Sequence, residues 1–462
     1  MTSRRPKQPN RALEALLLGQ GMSRKGLAHR VNQLAAATGR RTAYTHTSVA
    51  RWISGDTPKD PVPSLIATAL SERMGRPVAV KEIGMTAPVE HTSTGWDFPR
   101  DREDAVRGVL DHWNSQEAGR PAGGFTPAGY VLPVTRWLAV SADTPRLSSE
   151  GRRVGHEDLD ELRRTAEQAR QWDASFGGGD WRLSSVAQCL RDQAVPLLSG
   201  AHTEEVGREL FGITAELGRV VGWAAFDSGN AGAAQRHLIQ ALRLARVGAD
   251  VERGSYILGT MALHTILQGA PDQALDMAQG AFQQGRACNA APRVLAFAKL
   301  AEARAFGRLG EQAAASSALS RAERLLDRIG PHTRDPVWIS YVTETRLAAD
   351  AAEIFRDLHN PAAALRWNKR ASDGSERHHI RAAGLRHAVA ATAACQAKDL
   401  DHALDHAGRA LDTLDRVTSA RASRYLQYVA AALAPWATDP GVTDFTERLA
   451  GRAASTTAKA AM

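Results

Sequence analysis

No run of eighteen apolar residues occurs in this chain of 462, so the sequence offers no membrane-crossing helix and no membrane is expected among its partners. Cysteine is scarce. Cys189, Cys288 and Cys395 lie about a hundred residues apart with no paired spacing, which argues against a disulfide framework or a zinc site and leaves three reduced thiols, expected as buried small residues. Catalytic signatures are missing too: there is no nucleophile elbow, Walker motif or dinucleotide fingerprint. His402 and His406 stand four apart on a helix but lack a zinc-motif glutamate and a third ligand, and the adjacent His378 and His379 point to different helix faces. The triplet Gly177-Gly178-Gly179 has no Gly-Lys-Ser/Thr ending and no preceding strand, so it reads as a turn between helices rather than a phosphate loop. No enzyme, cofactor or metal is expected. Arg4-Arg5 is followed only by the short stretch Ala12–Leu18, interrupted by Glu14, which does not suit twin-arginine export; a cytoplasmic location is expected.

What is present is a repeat. The frame runs Gly222, Gly229, Ala234, Ala241; then Ala262, Gly269, Ala274, Ala281; then Ala303, Gly310, Ala315, Ala322; then Ala352, His359, Ala364, Ala371; and last Ala391, Lys398, Ala403, Ala410. Internal offsets of seven, five and seven recur in every copy. Seven residues are two helical turns, so each copy reads as helix, short turn, helix, with small residues where two helices approach closely. The copies start 40, 41, 49 and 39 residues apart, longer than the 34-residue tetratricopeptide period, although the spacing within each copy resembles that motif. An all-α array of stacked hairpins follows, with a concave face suited to recognition rather than catalysis.

Charge is concentrated at the other end. Residues 1–60 hold eleven Lys or Arg against three acids, a surplus of eight that equals the net charge of the whole chain. A basic block on a neutral body is the footprint of a nucleic-acid-binding module. Helices are expected over Arg11–Leu18, from Ser23 as cap, from about Thr45 through Ile53 to a Gly55 cap, and over Ser64–Met74. Here Leu27-Ala28, Ser48-Val49-Ala50-Arg51-Trp52-Ile53-Ser54-Gly55, Pro58 and Leu65-Ile66-Ala67 resemble the phage-repressor type of helix-turn-helix domain. The resemblance implies that Thr45, His46, Thr47, Ser48 and Arg51 meet base edges or phosphates of double-stranded DNA, and that Lys25, Arg40 and Arg41 neutralise phosphates. It departs from the family by roughly a dozen extra residues between Ala28 and Val49.

Three domains are therefore expected: a helix-turn-helix domain over 1–84, a linker over 85–155 rich in Pro, Gly, Ser and Thr with a helix near Asp101–Trp113, and a helical-repeat domain over 156–462 with C-terminal capping helices. Residues 130–138 read equally as extended chain or helix start, and His156–Phe176 as a strongly periodic helix. With Gly222–Gly229 and Ala234–Ala245, the whole resembles actinobacterial NsdA-like regulators that join a helix-turn-helix to tetratricopeptide repeats. That resemblance implies transcriptional control of development or secondary metabolism by a repressor, as a homodimer on paired half-sites. In such arrays the first helix of each pair lines the groove. Counting from the turns assigns Glu216, Arg219, Trp223, Asp227, Tyr256, Arg304, Arg308, Arg346 and Arg356 to it, a surface for a peptide, small anionic molecule or partner protein. Arg304, facing that groove, is expected to be dispensable for stability. The other reading of these arginines is that they pair with Glu216, Asp227 and neighbouring acids, and the other reading of the chain is a helical-repeat adaptor whose N-terminal module binds protein instead of DNA.

Overall fold

A computed structural model describes residues 9–37, 42–56, 58, 62–76, 78, 80, 82–85, 96–99, 101–115, 124–139, 152–176, 182–330, 332–373, 380–415 and 417–461. Contacts divide the chain into two units, Met1–Thr92 and Ser93–Met462. Among the described residues every regular element is helical, with one isolated bridge between Arg153 and Ala201.

The first unit holds α1 (Arg11–Gly19), α2 (Arg24–Ala37), α3 (His46–Ile53) and α4 (Val62–Met74). Ser23 caps α2 as expected, its hydroxyl accepting from Gly26 N–H at 3.0 Å. Asn10 caps α1 through its side chain and also donates to the Ile83 carbonyl at 2.9 Å, so the returning segment closes over the same core. Leu13, Leu17, Leu27, Val31, Val49, Trp52, Ile66, Leu70 and Ile83 share that core. Between the end of α2 at Ala37 and the start of α3 at His46 runs a connecting stretch that is described from Thr42 on. Asn32 anchors its described end: its amide donates to the Tyr44 carbonyl at 2.8 Å, and its carbonyl accepts from the Thr42 hydroxyl at 2.8 Å and Tyr44 N–H at 2.9 Å.

The second unit begins with α5 (Arg102–Ser115), α6 (Ala128–Ala139), α7 (His156–Phe176), α8 (Arg182–Cys189), a π turn over Leu190–Ala194, and α9 (Val195–Leu198). Five hairpins follow: α10 (Glu204–Asp227) with α11 (Ala231–Val247), α12 (Val251–Leu267) with α13 (Pro271–Ala287), α14 (Pro292–Leu309) with α15 (Gln312–Leu326), α16 (Glu344–Asp357) with α17 (Pro361–Asp373), and α18 (Ile380–Gln396) with α19 (Leu400–Leu414). Two more helices, α20 (Ala420–Leu433) and α21 (Pro440–Ala461), end the chain. The unit is a tetratricopeptide-like helical-repeat array.

Each sequence frame falls on one hairpin, and its second position is the turn. Gly229, Gly269, Gly310, His359 and Lys398 all take the left-handed conformation, with φ of 87°, 86°, 79°, 54° and 60°. The next residue's N–H returns to the carbonyl five back in all five copies: Asn230 to Ala225, Ala270 to Thr265, Glu311 to Phe306, Asn360 to Phe355 and Asp399 to Ala394, at 2.8–3.1 Å. This bond pattern ends the first helix with its last carbonyls satisfied. The residue after the turn then starts the second helix; Asn230, Asn360 and Asp399 cap it with their side chains. So short a connection forces the helices together, and the alanines of the frame are all buried.

Residues 85–155, expected as a linker, contain α5 and α6, and these pack into the second unit's core through Phe98, Val109, Trp113, Tyr130, Val134 and Trp137. Glycines on the repeats receive them. A Cβ on Gly254 would lie 2.0 Å from the Trp137 ring, and one on Gly280 2.9 Å from Leu138. Composition was a poor guide because the Pro- and Gly-rich stretches flank the aromatic anchors. Cys395 is buried, but Cys189 is half-buried and Cys288 exposed, the latter because it sits just past the end of α13.

Two substitutions test the frame. Gly269 has open space around its Cβ position, so Gly269→Ala isolates backbone strain and should destabilise by about 1–2 kcal/mol. Ala303 is fully buried at the helix crossing, so Ala303→Leu should cost about 1–3 kcal/mol by overpacking. Denaturant unfolding measures both; neutrality of the pair would mean the frame is mis-phased.

Candidate functional site

In the first unit α3 is amphipathic over only two turns. Val49, Trp52 and Ile53 are buried, and Tyr44 packs edge-on against Trp52 with ring centroids 5.3 Å apart. The opposite side presents Thr45, His46, Thr47 and Arg51 to solvent, with Ser48 half-buried. Ser48 is turned toward the helix start, its hydroxyl accepting from Thr45 N–H at 3.3 Å. Arg51, with 74% of its side chain exposed, pairs with Asp56 at 3.0 Å. Lys25 is exposed at the start of α2. Arg40 and Arg41 lie outside the described residues, as do Gly177–Gly179 and His378-His379.

The nine groove residues come from the inner helices α10, α12, α14 and α16, and most of them meet each other or neighbouring acids. Arg304 reaches Asp350 at 3.1 Å and Glu353 at 2.5 Å. Arg308 pairs with Asp357 at 2.7 Å, Arg346 with Asp350 at 2.8 Å, and Arg356 with Asp357 at 2.6 Å and Glu353 at 3.5 Å. The Tyr425 hydroxyl from α20 also donates to Glu353. Burial alone would lower the Arg304 pKa, but the carboxylates, Glu353 foremost, hold it raised. Burial likewise opposes ionisation of Glu353, and the guanidiniums of Arg304, Arg356 and Arg308 overcome it, leaving its pKa lowered.

A second cluster surrounds Glu216, which pairs with Arg170 of α7 at 3.2 Å and Arg219 at 3.4 Å. Arg219 lies over the Tyr256 ring, 4.9 Å from its centroid. Tyr256 is fully buried because residues 332–343, which precede α16, fold back on it. Trp338 stacks on its ring at 5.0 Å and the Tyr341 hydroxyl lies 3.1 Å from its own. That insertion is the physical origin of the 49-residue spacing. Trp223 is half-buried beneath Arg421, and Asp227 is fully buried against Arg381 and Arg421. Partly open among these residues are Arg308, Arg346, Trp223 and Tyr341.

Arg304 is thus no solvent-facing groove residue, and the expectation that it is dispensable for stability is corrected: its partners are buried carboxylates 46 and 49 residues away. Arg304→Ala should destabilise by about 3–5 kcal/mol, because it removes the guanidinium shared by two buried carboxylates and leaves Asp350 to Arg346 and Glu353 to Arg356, Arg308 and Tyr425. A melting temperature equal to wild type would contradict the network.

Residues missed in the sequence include buried histidines beneath α5 and α6. His112 lies 3.4 Å from His237, which also accepts from the Trp113 indole at 3.3 Å, and the Tyr130 hydroxyl lies 3.0 Å from His264. Burial lowers His237 to about 4 and His264 to about 3. His406, weighed above beside His402, instead faces His387 of α18 with ring nitrogens 3.1 Å apart, while Asp399, the cap of α19, accepts from the His402 N–H and pairs with its ring. An unfolded imidazole takes a proton below about 6.5, so between that pH and about 4 the unfolded chain binds more protons than the folded one. Stability is complete above this window and falls through it, by up to about 1.4 kcal/mol per pH unit for each such group. Melting temperatures from pH 7 to 5 should fall, with a shallower slope for His237→Asn; a flat profile would contradict the burial.

Residues 13–86 match the SP15 N-terminal domain family, a stretch that spans the described core of the first unit. No curated protein matches the chain. Among solved structures, it is similar to a Rap protein complexed with competence and sporulation factor, with 12% identity and a TM-score of 0.40, covering 65% of this chain and 99% of that one.

Proposed function

We propose that this protein is a DNA-binding transcriptional regulator, an NsdA-like homodimeric repressor of development or secondary metabolism, whose repeat body binds a peptide, a small anionic molecule or a partner protein. The observation that carries this reading is α3: its underside is pinned by Val49, Trp52 and Ile53 while Thr45, His46 and Thr47 stand outward at its start and Arg51 in its last turn, in the segment that holds the chain's whole charge surplus. Short hydroxyl and imidazole side chains let a helix N-terminus approach a duplex closely, and the helix dipole there favours phosphate. Lys25, Arg40 and Arg41 would add phosphate contacts. The Arg51–Asp56 pair favours a second reading, an adaptor that binds protein through the same face, since a base-reading guanidinium must first leave its carboxylate.

Salt separates the two readings. With about six phosphate contacts, duplex affinity of the full chain should fall on the order of 10³-fold between roughly 50 and 200 mM salt. Arg51→Ala should weaken specific binding more than random binding, by about 1–3 kcal/mol, whereas Lys25→Ala should weaken both alike. Fluorescence anisotropy with duplex pools measures these effects. Absence of binding, or affinity indifferent to salt, supports the adaptor.

A further inference from the structure

The repeat array curls until its last helices touch its first. Asp227 is the final residue of α10, and its fully buried carboxylate pairs with Arg381 of α18 and, at 3.3 Å, with Arg421 of α20. One turn further along α20, Arg424 donates to the carbonyl of Leu267, the last residue of α12, at 2.7 Å. A single helix thus sets two arginines on the C-terminal ends of two inner helices, where the helix dipole favours cations. A carboxylate at such an end is locally unfavourable, so Asp227 depends on its arginines, which come from 154 or more residues away. Ala420 closes against the turn, 3.3 Å from where a Cβ on Gly229 would stand.

The chemistry of this contact differs from that between successive repeats. Neighbouring hairpins bury alanine, leucine and valine, even where α14 and α16 also exchange buried ion pairs, so parting them exposes apolar surface. First and last repeats meet through ion pairs and charge-assisted hydrogen bonds, whose groups regain hydration when they separate, offsetting much of the lost attraction. We propose that the contact of Asp227 with Arg381 and Arg421 is a latch that holds the array closed, and that its concave face takes up a ligand only when the latch opens. The second clause rests on the ligand-binding reading of the repeat body; the first does not, and the experiment reads the first alone.

Hydrogen exchange on the full-length protein, with X-ray scattering in solution, tests it. In Asp227→Asn, amides in the last turn of α10 and in α18 and α20 should exchange about a hundredfold faster or more, α13 to α15 should keep wild-type protection, and the radius of gyration should rise. Unchanged exchange overturns the latch, and so does an equal loss of protection from α10 to α21, which would make Asp227 a contributor to global stability only. Should Asp227→Asn fail to fold, Arg421→Gln keeps Arg381 on the carboxylate and must give the same local pattern at smaller amplitude; no local change in that variant also overturns the proposal.

Discussion

The one-residue left-handed turn, repeated five times between helices faced with alanine and glycine, is the constraint on which the rest of the second unit depends. A connection this short fixes the hairpin angle, and only small side chains at the crossing let the backbones come close enough to satisfy it. Gly222 illustrates the limit: a Cβ there would lie 3.2 Å from both His237 and Leu238. Alanine loses no side-chain entropy on burial, so an alanine-rich array stacks at low conformational cost, and close approach replaces bulk as the source of packing.

Tight stacking carries a consequence for the inner face. The inner helices converge, and the long polar side chains on them are taken out of water, where unpaired charge is expensive. Arg304, Arg308, Arg346 and Arg356 therefore meet Asp350, Glu353 and Asp357, and Tyr425 completes Glu353. Something similar happens on α11, an outer helix whose polar residues hold the 96–139 segment by its backbone. Gln235 bonds both the N–H and the carbonyl of Thr126, Arg243 the carbonyl of Asp101, and Arg246 that of Arg136. Polar recognition of backbone, rather than a solvated surface, explains why α11 is buried along nearly its whole length.

Much of this was legible in sequence, and the rest was hidden for a physical reason. Offsets of seven and five located all five hairpins, because periodicity is a local property. Counting from the turns placed Arg304 on α14 and Asp227 on α10. It could not say what those residues face, since their partners lie 46 residues or more away. One signal was available and unused: Asp350, Glu353 and Asp357 form an acidic stripe on one side of α16, opposite Arg304 and Arg308 spaced four apart on α14. The 96–139 segment was obscured differently, because its flanks read as loop while Trp113, Tyr130 and Trp137 read as anchors only once the receiving surface is known.

The first unit has its own core and a short helix with an outward polar face, and the regulatory account stands on whether that face meets DNA. Crosslinking of the tagged full-length protein to DNA across the genome, followed by sequencing, tests this most directly. The account predicts discrete enriched sites that share a sequence and disappear in Arg51→Ala. Enrichment no greater than that of an untagged control would contradict it.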